Sequence, residues 1–117
     1  KTTTADGIFS RDIRERDGMC MRCFSNSKPL DCSHYWKRGD SSTRFDPKNC
    51  IALCRECHTH WERRKNYEYR EFMIAWLGRT EYDLLEIRAR TNKPRYNAVM
   101  EFMEARKNVD YIVVLSL

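Results

Sequence analysis

Four glycines and three prolines among 117 residues leave few backbone breakers. That composition excludes a flexible linker, a collagen-like repeat and a low-complexity tract. No internal repeat is present. No stretch approaches the ~18 consecutive apolar residues of a membrane-spanning helix, and the first residues lack the apolar run of a secretory leader. The expectation is therefore a cytoplasmic protein with no membrane partner. Hydrophobic residues are 41% and charged residues 33% of the chain, which excludes wholesale disorder. A chain of this length suits one domain, residues 1–117, and buries roughly two-thirds of its unfolded surface. Its core alone gives modest stability.

What is present in excess is basic charge in one half, together with cysteine. The net charge is +5. Lys1–Asn66 holds 14 basic and 9 acidic residues, whereas Tyr67–Leu117 holds 8 of each. The whole surplus thus lies in the half that also carries all six cysteines and all three histidines. A basic patch of this kind attracts polyanions, nucleic acid being the commonest; a merely solvated basic surface is the bland alternative.

The pattern along the chain divides it into a core at 18–66 and a helical extension at 67–117. Thr2–Ser10 is polar and reads as extended or partly ordered, followed by a short helix over Arg11–Asp17 packed through Phe9 and Ile13. Gly18 ends it. Leu30–Trp36 has the aromatic, short-run character of a strand, and Ile51–Leu53 reads as a second. Between them Gly39, paired serines and Pro47 mark a loop. A helix is expected from about Cys54 to Lys65. Beyond it, Phe72, Trp76 and Leu77 mark one helix face. Thr80 is the expected cap of the next helix, with Leu84, Leu85 and Ile87 inward. Pro94 opens a third helix, with Val99, Phe102 and Met103 inward. Tyr111–Leu115 is a short apolar tail.

Cys20-x2-Cys23 and Cys54-x2-Cys57 form two knuckles thirty residues apart. Zinc takes four soft ligands in a tetrahedron, and each CxxC turn offers two thiolates to one ion. The alternative is a disulfide framework or free core cysteines, which the paired two-residue spacing disfavours. Cys32 and Cys50 fall outside the knuckles and read as small packing residues. The histidines lie inside the span that the knuckles close, in the string Ser33-His34-Tyr35, then Arg44-Phe45-Asp46-Pro47-x-Asn49, then Cys54-x2-Cys57-His58. That string resembles the HNH endonucleases, the zinc-stapled branch of the ββα-metal (His-Me finger) nucleases. Its wording is similar to that of phage NinG-like recombination proteins. The resemblance covers about Cys20–Lys65.

The resemblance implies an α+β fold, a small treble-clef-like ββα-metal core followed by C-terminal helices. It implies a DNA endonuclease, phage or prophage encoded and acting in the bacterial host cytoplasm, with two kinds of metal. One is the structural zinc of Cys20, Cys23, Cys54 and Cys57. The other is a catalytic divalent ion (Mg2+, Mn2+ or Ni2+) held by His58. His34 matches the family's general base and Asn49 the residue that orients it. An imidazole, with an unperturbed pKa near ~6.5, can take a proton from water at neutral pH. One departure is Ser33, which stands where many HNH enzymes carry a metal-binding Asp. Glu62, four residues beyond His58 on the same helix face, is a candidate second ligand, and Asp31 a weaker one; otherwise both are solvated charges. Lys37, Arg38, Arg44, Arg63 and Arg64 are the candidate DNA contacts, with Lys65 and His60 beside them. Tyr35 and Trp36 read as base-stacking or core aromatics. The helical extension would supply a homodimer contact or a phage-protein partner. The competing readings are a zinc-finger module that binds DNA without cutting it, and a non-catalytic accessory protein of phage assembly or recombination.

Overall fold

The computed structural model describes residues 3–37, 39, 41–63, 67–108 and 111. Among these residues the fold is α+β, with five helices and one two-stranded sheet. Helix α1 spans Thr4–Asp17. Strands β1 (Leu30–His34) and β2 (Cys50–Cys54) pair antiparallel, with Leu30 opposite Cys54 and His34 opposite Cys50. Helices α2 (Arg55–Arg63), α3 (Tyr67–Leu77), α4 (Arg79–Arg90) and α5 (Arg95–Ala105) follow.

The first helix begins seven residues earlier than its sequence pattern suggests. Thr3 and Asp6 form a reciprocal capping box: the Thr3 hydroxyl accepts from the Asp6 N–H at 3.2 Å, and Asp6 Oδ2 accepts from the Thr3 N–H at 2.7 Å. These bonds satisfy two of the amides that a helix start leaves without partners. Gly18 ends the helix at φ 68°, in the left-handed region where a side chain is strained, and its N–H bonds to Arg14 O. The polar segment read as extended is therefore helical from Thr4.

The hairpin lies between two apolar clusters, because strand side chains alternate between faces. Cys50 on one face packs with Ala5, Phe9 and Ile13 of α1 and with Phe102 of α5, while Cys32 and Phe45 border the cluster. Ile51 and Leu53 on the other face pack with Trp61 of α2, Tyr69 and Met73 of α3, and Tyr82 and Leu85 of α4. All five residues of β2 are buried. Asp17 Oδ2 accepts from Ala52 N at 2.8 Å, and Arg16 donates to Pro47 O and Cys50 O at 2.9 and 2.7 Å, so the end of α1 is tied to β2.

The C-terminal helices differ in detail from their apolar pattern. Helix α4 starts at Arg79 after Gly78 (φ 85°) with no side-chain cap, so Thr80 is inside the helix rather than at its start. Tyr82 and Leu85 are its buried residues, and Leu84 and Ile87 face solvent. In α5 the buried pair is Ala98 and Phe102, with Met103 exposed. The inward face is set by what each helix meets: Tyr82 meets the Tyr35 hydroxyl at 2.7 Å, and Phe102 stacks on Phe45 at 4.7 Å. Tyr111 donates from its hydroxyl to Asp12 Oδ2 at 3.0 Å; the rest of the expected apolar tail lies outside the described residues.

Candidate metal centre and groove

The two knuckles meet. The sulfurs of Cys20, Cys23, Cys54 and Cys57 all lie within 4.8 Å of one another, which positions the four to bind one metal ion. The first knuckle is shaped by the Phe24 N–H bonding back to Cys20 O at 2.8 Å, with Phe24 itself at φ 64°. The second straddles the end of β2 and the first turn of α2. Cys20, Cys54 and Cys57 are buried and Cys23 is exposed. Burial pushes the Cys57 thiol up to about 12. Burial acts on Cys20 in the same sense, but backbone N–H donors from Cys23, Cys54 and Arg22 outweigh it and bring that thiol down to about 6. Four thiolates around a divalent cation carry a net charge of −2, and Arg22 Nη1 stands 3.4 Å from Cys57 Sγ to offset it. The donor set, four sulfurs at tetrahedral reach, fits a structural zinc.

Helix α2 uses two adjacent faces. Cys57 and Trp61 point into the core, while His58 and Glu62, also four residues apart, are turned one position round the helix. They open onto a groove along the edge of β1 that pairs with no other strand among the described residues. One part of the groove, about 380 Å³, is lined by Asp6, Ser10, Cys32, His34, Lys37, His58 and Glu62. An adjoining part, about 560 Å³, adds Arg14, Asp31 and Arg55. The structure thus brings His34 and His58 to one concavity, between α1 and α2.

Each histidine is oriented by a partner. His34 Nε2 lies 2.8 Å from Arg44 O, and a carbonyl only accepts, so Nε2 carries the hydrogen and the lone pair of the neutral ring is on Nδ1. The loop that presents this carbonyl is braced by Asn49, which is fully buried. Asn49 Nδ2 donates to Thr43 O at 3.1 Å and Trp36 O at 2.9 Å, and Oδ1 accepts from Trp36 N at 2.8 Å. His58 Nδ1 lies 3.1 Å from Asp31 Oδ2. Burial raises the Asp31 carboxyl, but bonds from Arg55 and His58 outweigh that and hold it below its ordinary value. An ionised Asp31 accepts, so His58 donates from Nδ1, and its Nε2 stands 3.8 Å from Glu62 Oε2.

The other sequence candidates divide sharply. Ser33 is buried and its hydroxyl bonds to the Tyr69 hydroxyl at 2.8 Å, turned to α3 and away from the groove. Arg44 is 3% exposed, and its guanidinium grips the Asp6 carboxylate at 2.9 and 2.6 Å. It joins α1 to the loop and is not presented to a phosphate, because an always-charged group this deep needs a fixed counter-charge. Lys37 and Arg63 are exposed, Lys37 with Glu62 at 3.9 Å. Arg38, Arg64 and Lys65 lie outside the described residues. His60 is turned from the groove, 3.6 Å from Glu68. Tyr35 packs among Trp36, Tyr69 and Tyr82 as a core-edge aromatic. Sequence reasoning missed Ser10, Arg14 and Arg55 as groove residues. The first two are invisible while their segment is read as extended or as a packing helix, although their spacing of four places them on one helix face.

No protein-family model, curated protein or solved structure matches this chain.

Proposed function

We propose that the chain is a metal-dependent endonuclease of the HNH kind that hydrolyses DNA phosphodiester bonds. One observation carries the reading. Two histidines from different elements line a single groove, each with one ring nitrogen fixed by an acceptor. A binding module has no need of that arrangement. The basic surplus of the same half of the chain supports a phosphate-rich substrate.

In this reading His34 takes the proton from the attacking water at Nδ1, while Nε2–H stays on Arg44 O and keeps the ring from turning. Asn49 holds the loop so that this carbonyl does not drift. His58 and Glu62 fit a divalent cation, an imidazole nitrogen and a carboxylate oxygen open to the groove, with water and phosphate oxygens completing the set. A bound ion would neutralise charge at the phosphate and stabilise the leaving oxygen. Glu62 thereby takes the place of the ligand that Ser33 does not supply. Asp31 positions His58 and favours the tautomer that offers Nε2, a carboxylate–histidine arrangement common around metals. Arg14, Lys37 and Arg55 line the groove and grip backbone phosphates without reading sequence, with Arg63 an exposed charge at the end of α2.

Plasmid nicking by the zinc-loaded protein, with Mg2+, Mn2+ or Ni2+ added, tests this. Wild type converts supercoiled to nicked or linear DNA. His34→Ala slows the reaction by the roughly 10²–10⁴-fold that general-base catalysis supplies, and His58→Ala shifts the metal dependence to higher concentration as well. DNA binding without cleavage in any metal would make the chain a zinc-stapled binding module instead.

A further inference from the structure

A second cluster of soft ligands lies on the α1 face of the hairpin. Donor atoms of Cys32, His34 and Cys50 all fall within 4.8 Å of one another. The register explains why: Cys50 stands directly opposite His34, and Cys32 is two residues before His34 on the same strand face. Cys50 is fully buried, whereas Cys32 and His34 line the groove. The two cysteines are both thiols, and their placement does not suit a disulfide. Cys32 pairs with Ala52 and Cys50 with His34, so the cysteines are diagonal neighbours. Such neighbours are about 7–8 Å apart, beyond the roughly 4.4–6.8 Å between α-carbons that a disulfide spans.

We infer that Cys32, His34 and Cys50 form a second, zinc-type metal site, separate from the four-cysteine centre, whose occupation switches the groove off. Two thiolates and a neutral imidazole around a divalent ion sum to zero charge, which a site with one fully buried ligand can accommodate. Sulfur and imidazole donors favour Zn2+ over the harder Mg2+ or Mn2+. The Nε2–H bond from His34 to Arg44 O is of the kind that orients metal-bound imidazoles, and it puts the lone pair of the neutral ring on Nδ1, the nitrogen an ion would take. Binding releases two thiol protons to solvent as two S–metal bonds form. Three protein ligands leave one position for water on the groove side. The consequence rests on the nuclease reading above: an ion on Nδ1 takes the lone pair that His34 would use on water.

The test begins with protein holding one zinc per chain and adds Co2+ as a spectroscopic probe. Wild type takes up one further equivalent with a thiolate-to-cobalt charge-transfer band. Cys32→Ser, at a half-exposed position, keeps the first zinc and weakens the second site by at least the roughly 10–100-fold that follows even from altering groups that orient a ligand. His34→Gln provides an independent check and weakens it likewise. The inference is overturned if wild type binds no second equivalent with thiolate absorption, or if Cys32→Ser and His34→Gln bind it as tightly. In parallel, Mg2+-supported nicking is compared with and without a second equivalent of Zn2+. The added zinc suppresses it in wild type and leaves the ratio near one in Cys32→Ser. A second ion bound in the absence of any nicking sinks the nuclease reading and leaves the site standing. Nicking without a second ion does the reverse.

Discussion

Arg44 and Asp6 show how a single side chain changes role with depth. In the sequence Arg44 stands in a basic loop between the candidate base and its brace, where a phosphate contact is the natural reading. In the fold its guanidinium lies against a carboxylate 38 residues away, and both groups are buried. Burial raises the Asp6 carboxyl, but Arg44 and the Thr3 donors outweigh it, so Asp6 is held below its ordinary value. Asp12 is lowered in the same way, burial being outweighed by Arg106 and the Tyr111 hydroxyl. A lowered carboxylate contributes stability that is full above its unfolded pKa of ~3.9 and is lost as the pH falls through the folded value. Urea melts between pH 7 and pH 3 are therefore expected to show stability falling below about pH 4. Asp6→Asn should cost about 3 kcal/mol at pH 7, since it leaves Arg44 buried without its counter-charge, and should flatten the acid limb. An acid limb of unchanged slope would show that Asp6 is not ionised in this pair.

At the scale of the element, α1 is the part least legible from sequence and the one with most influence on the groove. It covers one face of the hairpin, supplies Ser10 and Arg14 to the groove wall, and holds the His34 loop through Asp6 and Arg44. Its start depends on the Thr3–Asp6 box, which the sequence shows only as two polar residues three apart. Thr3→Ala is expected to cost about 1 kcal/mol in chemical denaturation. The loss should shrink in an Asp6→Asn background, because both residues belong to one network. Equal costs in the two backgrounds would mean that cap and ion pair act independently. The strands and α2 were far more legible. Leu30–Trp36 overruns the observed β1 by two residues, Tyr35 and Trp36, and Ile51–Leu53 falls one residue short of β2 at each end. Helices α3 to α5 were legible as helices but not in their faces. Leu84 and Leu85 are equally apolar, and what α4 packs against, Met73 and Tyr69 of α3 with Tyr35 against Tyr82, decides which of its residues go inward.

For the whole molecule, the metal centre and the groove share one lever. Cys57 and His58 are consecutive residues of α2, so anchoring the knuckles fixes both the angle and the rotation of the helix that carries His58 and Glu62. Structural zinc contributes an apparent ~10–16 kcal/mol in zinc-finger peptides, where no other core exists. Here the two apolar clusters share the work, and stripping the ion with a strong chelator is expected to lower stability by several kcal/mol. Thermal melts followed by circular dichroism, with elemental analysis giving one zinc per untreated chain, measure this. Nicking should vanish with the ion and return on adding one equivalent of zinc. An unchanged melting temperature after complete removal would show that the cysteines do not staple the fold.

The sequence by itself determined which residues could do chemistry. Paired CxxC spacing, the His-Asn-His order and a charge surplus confined to residues 1–66 are properties of local order along the chain, and local order survives in one dimension. Tertiary structure alone decided which of those residues share a space. It placed His34 and His58 on one groove and removed Ser33 and Arg44 from it. It also gathered Cys32, His34 and Cys50 into a cluster that their spacing does not announce. The physical reason is that a side chain's role depends on what neutralises it, donates to it or excludes water from it. Those partners lie on other elements, tens of residues away.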